Sequence, residues 1–412
     1  MTGPKITYLD GLRGAAALVV VLAHYLQVFL PSMFEARAQV SHFAFDQWIP
    51  RTPLNLFFNG NFAVCLFFVL SGFVLSFRFF RYRRRSVVAA ALLRRYFRLA
   101  IPAVFSLLPA YALMKLDWNF YAEARGYTRA TMPDPYTTIP SFAELLEQGF
   151  IHTFFGYGLA YNPVLWTMTY ELFGSFLVYG LLLAFGKSRF RFVCYAAGLW
   201  FFRDSYYLGF VLGMLLSDLS AGAGRNLTAL RPGFFPAAIG LLGLYLGSVP
   251  YVSWQGSVYA WLPLSPEGFP GAVTYRTAGA ALVLLALLNS RTGQKLFAGR
   301  PMAYLGKLSF SLYLVHFAVL CSFSCLLFLL LEGRLSYGLN IAVTTLVSLP
   351  LVFALAHLMY RLIDKPVVGL LSRIRFAARS RRAAGRGVKN AAPEAEVRLA
   401  GRTRAGSPDP DS

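Results

Sequence analysis

Few side chains in this sequence could carry chemistry, and they stand out because apolar residues surround them. His24 follows Arg13 by eleven positions, in a run that is otherwise almost wholly apolar. On an α-helix, eleven steps of about 100° leave the two side chains about 20° apart around the surface and about 16 Å apart along the axis. One face then presents a guanidinium near one end and an imidazole near the middle. A neutral imidazole takes up a proton near pH 7, so His24 has the chemistry of a general base. Alone, the pair fits equally well an arginine reaching for lipid headgroups and a histidine satisfying a neighbouring carbonyl.

Other chemistry-bearing residues recur at a similar depth in other apolar runs. Glu171 is the one charge in its run and falls about 12 Å from the start of a helix beginning near 163. Ser309, Tyr313 and His316 stand at i, i+4 and i+7, making one polar stripe, with His316 about 17 Å from the start of its run. Ser71-Gly72 lies about 15 Å into another. Arg95 and Arg98, at i and i+3, share a helix face where guanidinium forks could hold phosphate groups; a plain anchoring role for them is as good a reading. Convergence of several runs at one depth is stronger evidence than any one residue. His357 and Asp364 read as structural, and His42 and His152 carry no signal.

These residues need elements to position them, and composition says which. Of 412 residues, 57% are hydrophobic and 14% charged, with a mean hydropathy of +0.53, so lipid is the expected solvent. Apolar runs at 11–30, 61–80, 96–115, 163–185, 190–202, 205–219, 234–249, 272–289, 305–331 and 338–362 predict an all-α polytopic membrane bundle of about ten transmembrane helices. The runs at 190–202 and 205–219 are the shortest and could form one bent hairpin. The first run exceeds a usual leader core, so no cleavage is expected.

The net charge of +21 first suggests nucleic acid, but placement decides otherwise. Counted outward from a cytosolic N-terminus, most of the 39 Lys and Arg fall in inner connections, including Arg81, Arg83, Arg84 and Arg85, whereas 250–271 has none. The basic excess is topological, and nucleic acid is not an expected partner. Residues 1–372 form the expected transmembrane domain and 373–412 a disordered basic cytosolic tail that touches anionic lipid. Cys65, Cys194, Cys321 and Cys325 sit inside apolar runs without ligand spacing, so neither disulfides nor a metal site are expected. The long connections 116–162 and 250–271 carry aromatic residues, including Trp118, Trp254 and Trp261, most of which suit an interfacial belt.

The stretch YLDGLRGAAAL from Tyr8 with His24, then FFVLSGF from Phe67, Arg95 with Arg98, Leu165-Trp166-Thr167 with Glu171, SLYLVH ending at His316, and Asp364-Lys365-Pro366 resembles the membrane-bound acyltransferase 3 family over about residues 6–370. Asp364 stands where that family usually shows Glu. The resemblance implies transfer of an acyl group, commonly acetyl, from cytosolic acyl-CoA to a hydroxyl on a carbohydrate, a lipid or a small molecule. Acyl-CoA, commonly acetyl-CoA, is the implied donor, and an exported or cell-surface carbohydrate the implied acceptor. On that reading His24, with Arg13 and Glu171, is catalytic. Arg95 and Arg98 bind the donor's phosphates, while Ser71, Gly72, Trp166, Tyr313 and His316 line the substrate pocket. The competing class is a transporter or flippase, against which the sequence shows no internal repeat. A multi-pass cell-membrane protein with both termini in the cytosol should be labelled by an impermeant thiol reagent on intact cells at cysteines placed in 250–271. Cysteines in the tail should be spared, and the reverse pattern overturns the orientation.

Overall fold

Every regular element among the described residues is helical; the computed structural model describes residues 6–83, 85–221, 233–251, 257–263 and 271–372. Beside shorter helical turns in the connections, in chain order these include α1 (Thr7–Phe29), α2 (Gly60–Tyr82), α3 (Arg85–Lys115), α4 (Trp166–Ala184), α5 (Arg191–Phe201), α6 (Tyr207–Ala221), α7 (Phe234–Gly247), α8 (Ala272–Asn289), α9 (Arg291–Ala298), α10 (Arg300–Val319) and α11 (Tyr337–Met359). Of these eleven, all but α9, an amphipathic connector, coincide with the apolar runs of the sequence. Among the described residues, seven helices are long and apolar enough to cross a membrane. The expected spans at 190–202, 205–219 and 234–249 are helices of 11, 15 and 14 residues. At 1.5 Å per residue these cover about 17–23 Å, short of the ~30 Å hydrocarbon layer.

One difference lies at the basic cluster, expected as a connection before 96. Helix α2 continues to Tyr82 and α3 begins at Arg85, so Arg81, Arg94, Arg95 and Arg98 are all helical. The 31 residues of α3 extend it about 46 Å, past the hydrocarbon layer, which lets its charged turns remain helical at the interface. Pro102 and Pro109 lie within it, where each removes a backbone donor and bends the helix. The bundle ends at Asp364; residues 365–372 are helical and belong to a second unit beginning at Lys365. The tail 373–412, together with Trp254 of the 250–271 connection, lies outside the described residues.

Local signals start and join the helices. Asn59 caps α2 by accepting from the Phe62 amide at 3.0 Å, and its own amide donates to the Gly247 and Val249 carbonyls beyond α7. Ser290 caps α9 through the Gly293 amide at 3.0 Å. Asp10 sits in the first turn of α1, where an acidic side chain suits the helix dipole. Helix α10 widens into a π-helical turn at Leu320–Ser324. There the Cys321 carbonyl accepts from the Phe120 amide at 3.0 Å, docking the connection after α3.

Glycine sets a close backbone contact between α1 and α10. A Cβ added at Gly14 would stand 2.5 Å from the Gly306 nitrogen, and one at Gly306 only 2.3 Å from the Asp10 carbonyl oxygen. Backbone meets backbone there, as small residues allow in membrane helix pairs. Gly306→Val should therefore cost about 1–3 kcal/mol or more by overpacking. Thermal unfolding in detergent checks this against Gly180→Ala, where the added Cβ meets nothing within 4 Å. Equal stability of the two variants would show that this contact is not the constraint.

Candidate active site

The α1 and α10 pair brings together the two membrane-embedded histidines. His24 Nδ1 lies 2.9 Å from the Val20 carbonyl oxygen one turn back and 3.1 Å from His316 Nε2. His316 Nδ1 in turn lies 3.1 Å from its own i−4 carbonyl, that of Leu312. The rings are 5.0 Å apart between centroids and inclined by 42°. Phe317 places its ring edge-on to His24 at 5.6 Å. Their accessibility differs: His316 is 0% exposed, whereas His24 is part-exposed.

The rest of the α10 stripe turns elsewhere. Tyr313 donates its hydroxyl to the Val164 carbonyl at 2.6 Å and lies 2.7 Å from Thr167 Oγ1, stitching the start of α4 to α10. Asn162 adds a second stitch, donating to the Leu314 carbonyl at 2.9 Å. Ser309 donates back into its own helix, to Gly306.

A second cluster joins α2, α3 and α4. Glu171 Oε1 accepts from the Ser71 hydroxyl at 2.7 Å and from the Arg95 guanidinium in a short ion pair. Arg95 also donates through Nε to Ser175 Oγ at 2.8 Å, and Ser175 donates to the Glu171 carbonyl at 2.6 Å. The Arg95 and Glu171 side chains are 10% and 14% exposed, so this is a nearly buried ion pair in which each member also bonds a serine. Ser175 escaped the sequence reading; its position one turn after Glu171 was the available signal.

Sequence-expected partners thus separate. Glu171, expected to orient the imidazole or the acceptor, bonds Ser71 and Arg95 rather than His24. Arg95, expected beside Arg98 at a phosphate site, is held by Glu171. Arg98 is exposed and, among the described residues, makes no ion pair within 4.0 Å and no hydrogen bond. Arg13 pairs with Asp10 at 3.7 Å and lies within electrostatic reach of Arg95 and Glu171, as Arg98 does of Arg13 and Asp364. Gly72 is a packing glycine, where a Cβ would stand 2.3 Å from the Phe210 carbonyl oxygen of α6. Trp166 meets Tyr170 edge-on and Tyr206 at a tilt, at 5.8 and 5.1 Å between centroids, and Tyr157 and Tyr207 extend the cluster.

Two other features bear on the site. A cavity of about 1040 Å³ between α1, α2, α7 and α8, lined by Leu12, Val19, Leu66, Pro236, Ala286 and Phe297 among others, includes none of the clustered residues above and no base. Among the described residues no group of three or more His, Cys, Asp or Glu could hold a metal ion.

An all-α bundle with this many long apolar helices is that of a polytopic membrane protein. Residues 6–359 match the profile described as an acyltransferase domain, and the chain belongs to that family, acyltransferase 3. Asp364-Lys365-Pro366 lies beyond the matched residues. Among characterised proteins it is similar to acyltransferase clz18 of Cochliobolus lunatus, 24% identical over 88% of this chain and 94% of the relative. It is likewise similar to O-acetyltransferase PaAT-1 of Phomopsis amygdali, 27% identical over 87% of this chain and 82% of that protein. Acyltransferase R4 of a Phoma species is 24% identical over 77% and 83%. No solved structure matches the chain. The protein is accordingly an enzyme that transfers acyl groups.

The Arg95–Glu171 pair allows a direct test. Removing one member strands the other in a nearly dry site, so Glu171→Ala should destabilise the protein by about 3–5 kcal/mol. The double variant with Arg95→Met should recover part of that loss in thermal unfolding; additive losses would show that the two residues do not act as a pair.

Proposed function

We propose that the protein is an O-acyltransferase that moves an acyl group, acetyl in the simplest case, from acyl-CoA to an acceptor hydroxyl, with His24 as general base. The observation that carries the reading is His24 itself, part-exposed in mid-helix with one ring nitrogen tied up and the other without a partner among the described residues. The name of the Phomopsis relative, an O-acetyltransferase, supports acetyl as the group transferred and a hydroxyl as the receiver.

The chemistry follows from the groups present. His24 Nε2 removes the proton of the acceptor hydroxyl as its oxygen attacks the thioester carbonyl. The carbon–sulfur bond breaks, the thiolate of coenzyme A leaves, and the proton held on His24 passes to that sulfur. Ester and free coenzyme A result, and the imidazole returns to neutrality. Arg98 is the cation available to the donor's phosphates, with Arg13 beside it, and Arg95 is held to Glu171. The helix rise separates Arg13 from His24 by about 16 Å, a span for the extended pantetheine arm to cover.

The basic end faces the cytosol on the positive-inside rule, with both termini there and the bundle in the cell membrane. The acceptor approaches from the opposite end. A carbohydrate is favoured because Trp166, Tyr170 and Tyr206 offer clustered ring faces at that end of α4, on which a pyranose can stack.

Release of coenzyme A from acetyl-CoA by purified protein tests the assignment. His24→Ala should lower kcat by about 10²–10⁴-fold, the usual worth of a general base, while eluting as one species. His357→Ala, whose imidazole bonds Tyr304, serves as the control. Arg98→Ala should instead raise KM for acetyl-CoA. Undiminished turnover by well-folded His24→Ala ends the assignment of the base, and an unchanged KM in Arg98→Ala ends that of the phosphate contact. Mass spectrometry of surface glycans, with and without the protein, decides whether the acceptor is a carbohydrate.

A further inference from the structure

His316 was expected among pocket-lining residues, yet it has no exposed surface and stands behind His24. We propose that His316 is a positioning residue: its Nε2 accepts the His24 Nδ1 hydrogen, which holds His24 in the tautomer and ring rotation that leave Nε2 bare for the acceptor hydroxyl. The inference rests on the reading of His24 as base.

The hydrogen bonds admit one consistent arrangement of protons. The Leu312 carbonyl can only accept, so the His316 nitrogen 3.1 Å from it carries a hydrogen, and Nδ1 is the donor. A neutral imidazole has one N–H, so His316 Nε2 is then a lone pair, and it points at His24 Nδ1, 3.1 Å away. His24 Nδ1 also faces the Val20 carbonyl at 2.9 Å. Two acceptors converge on this nitrogen, which must carry the hydrogen. The alternative tautomer would set a lone pair against both. His24 Nε2 is thereby the bare nitrogen. It has no partner among the described residues, and it is absent from the buried polar atoms that lack one, so it is not fully enclosed.

The two acceptors do different work. The Val20 carbonyl also serves the backbone of α1, and it lies on the same helix, so it tethers Nδ1 without fixing the plane of the ring. His316 comes from another helix and approaches from a second direction, which sets that plane. Phe317 bounds it edge-on from the same turn of α10. When His24 gains a proton at Nε2, both its nitrogens carry hydrogen, and the neutral His316 lone pair remains in place to accept the one on Nδ1. An acid at this position would do the same with a charge, at a desolvation cost that a neutral ring avoids.

A matched pair of substitutions separates positioning from packing. Gln and Met have similar length and volume, but only Gln can place an acceptor oxygen where His316 Nε2 stands. In purified full-length protein, His316→Met should lower kcat for coenzyme A release from acetyl-CoA by about 10–100-fold, the scale on which orienting partners act, with KM little changed. His316→Gln should recover most of that loss. Nitrogen-15 spectra of histidine-labelled protein should show His24 protonated at Nδ1 in the wild type and the Gln variant, and a mixture of tautomers in the Met variant. Equal turnover in the two variants, an unchanged His24 tautomer in His316→Met, or failure of both to fold would each overturn the proposal and leave His316 as packing. Full activity in His24→Ala would instead overturn the base itself, so the two failures are distinct.

Discussion

The approach of α1 to α10 at Gly14 and Gly306 is the constraint from which the geometry of the histidine pair follows. With no side chain between them, the two backbones touch near the basic end, and both helices run in the same direction away from it. His24 and His316 each come ten residues later, about 15 Å along their helices. Equal offsets from a shared contact bring both to one depth. Lipid offers no hydrophobic drive for helix pairing, so close packing of small residues has to supply it, and here the same packing sets an imidazole against an imidazole.

Charge is handled by a separate rule. An ion in a low-dielectric interior is tolerable when a partner and supporting hydrogen bonds come with it, and Glu171 with Arg95, each also bonded to a serine, is such a pair across three helices. The consequence is a division among arginines that look alike in sequence. Arg95 is spent on holding α3 to α4 beside α2, while Arg98, one turn further, stays exposed. The histidine pair is assembled without a formal charge, and only one member of it reaches accessible space.

Much of this was legible in the sequence because helical periodicity fixes which face a residue occupies. The eleven-residue spacing placed Arg13 and His24 on one face, and the apolar runs located the helices that carry them. Periodicity does not say what lies opposite. Ser309, Tyr313 and His316 form one stripe, yet they meet Gly306, Val164 and His24 respectively, one within the helix and two on different neighbours. The Glu171–Arg95 pair joins positions 76 apart in sequence, a contact set by how α3 and α4 are rotated, which no local pattern encodes. Gly72 illustrates the same limit, since a glycine near a serine reads as pocket until the Phe210 backbone is seen against it. The short α5, α6 and α7 match apolar runs of the sequence, and only their length, about 17–23 Å as helix, was not legible there.

The π-helical turn at Leu320–Ser324 ties the connection after α3 to α1. A carbonyl freed from the regular ladder of α10 holds the Phe120 amide, and Ser324 at the end of the turn lies 2.9 Å from the hydroxyl of Tyr25, the residue after His24. One extra residue in that turn thus serves two attachments at once. Replacing the 116–162 connection would break the first attachment unless the matching stretch of α10 came with it. Deleting the extra residue would swing Ser324 away from Tyr25. The two segments are therefore mechanically coupled, although more than 150 residues separate them in the chain.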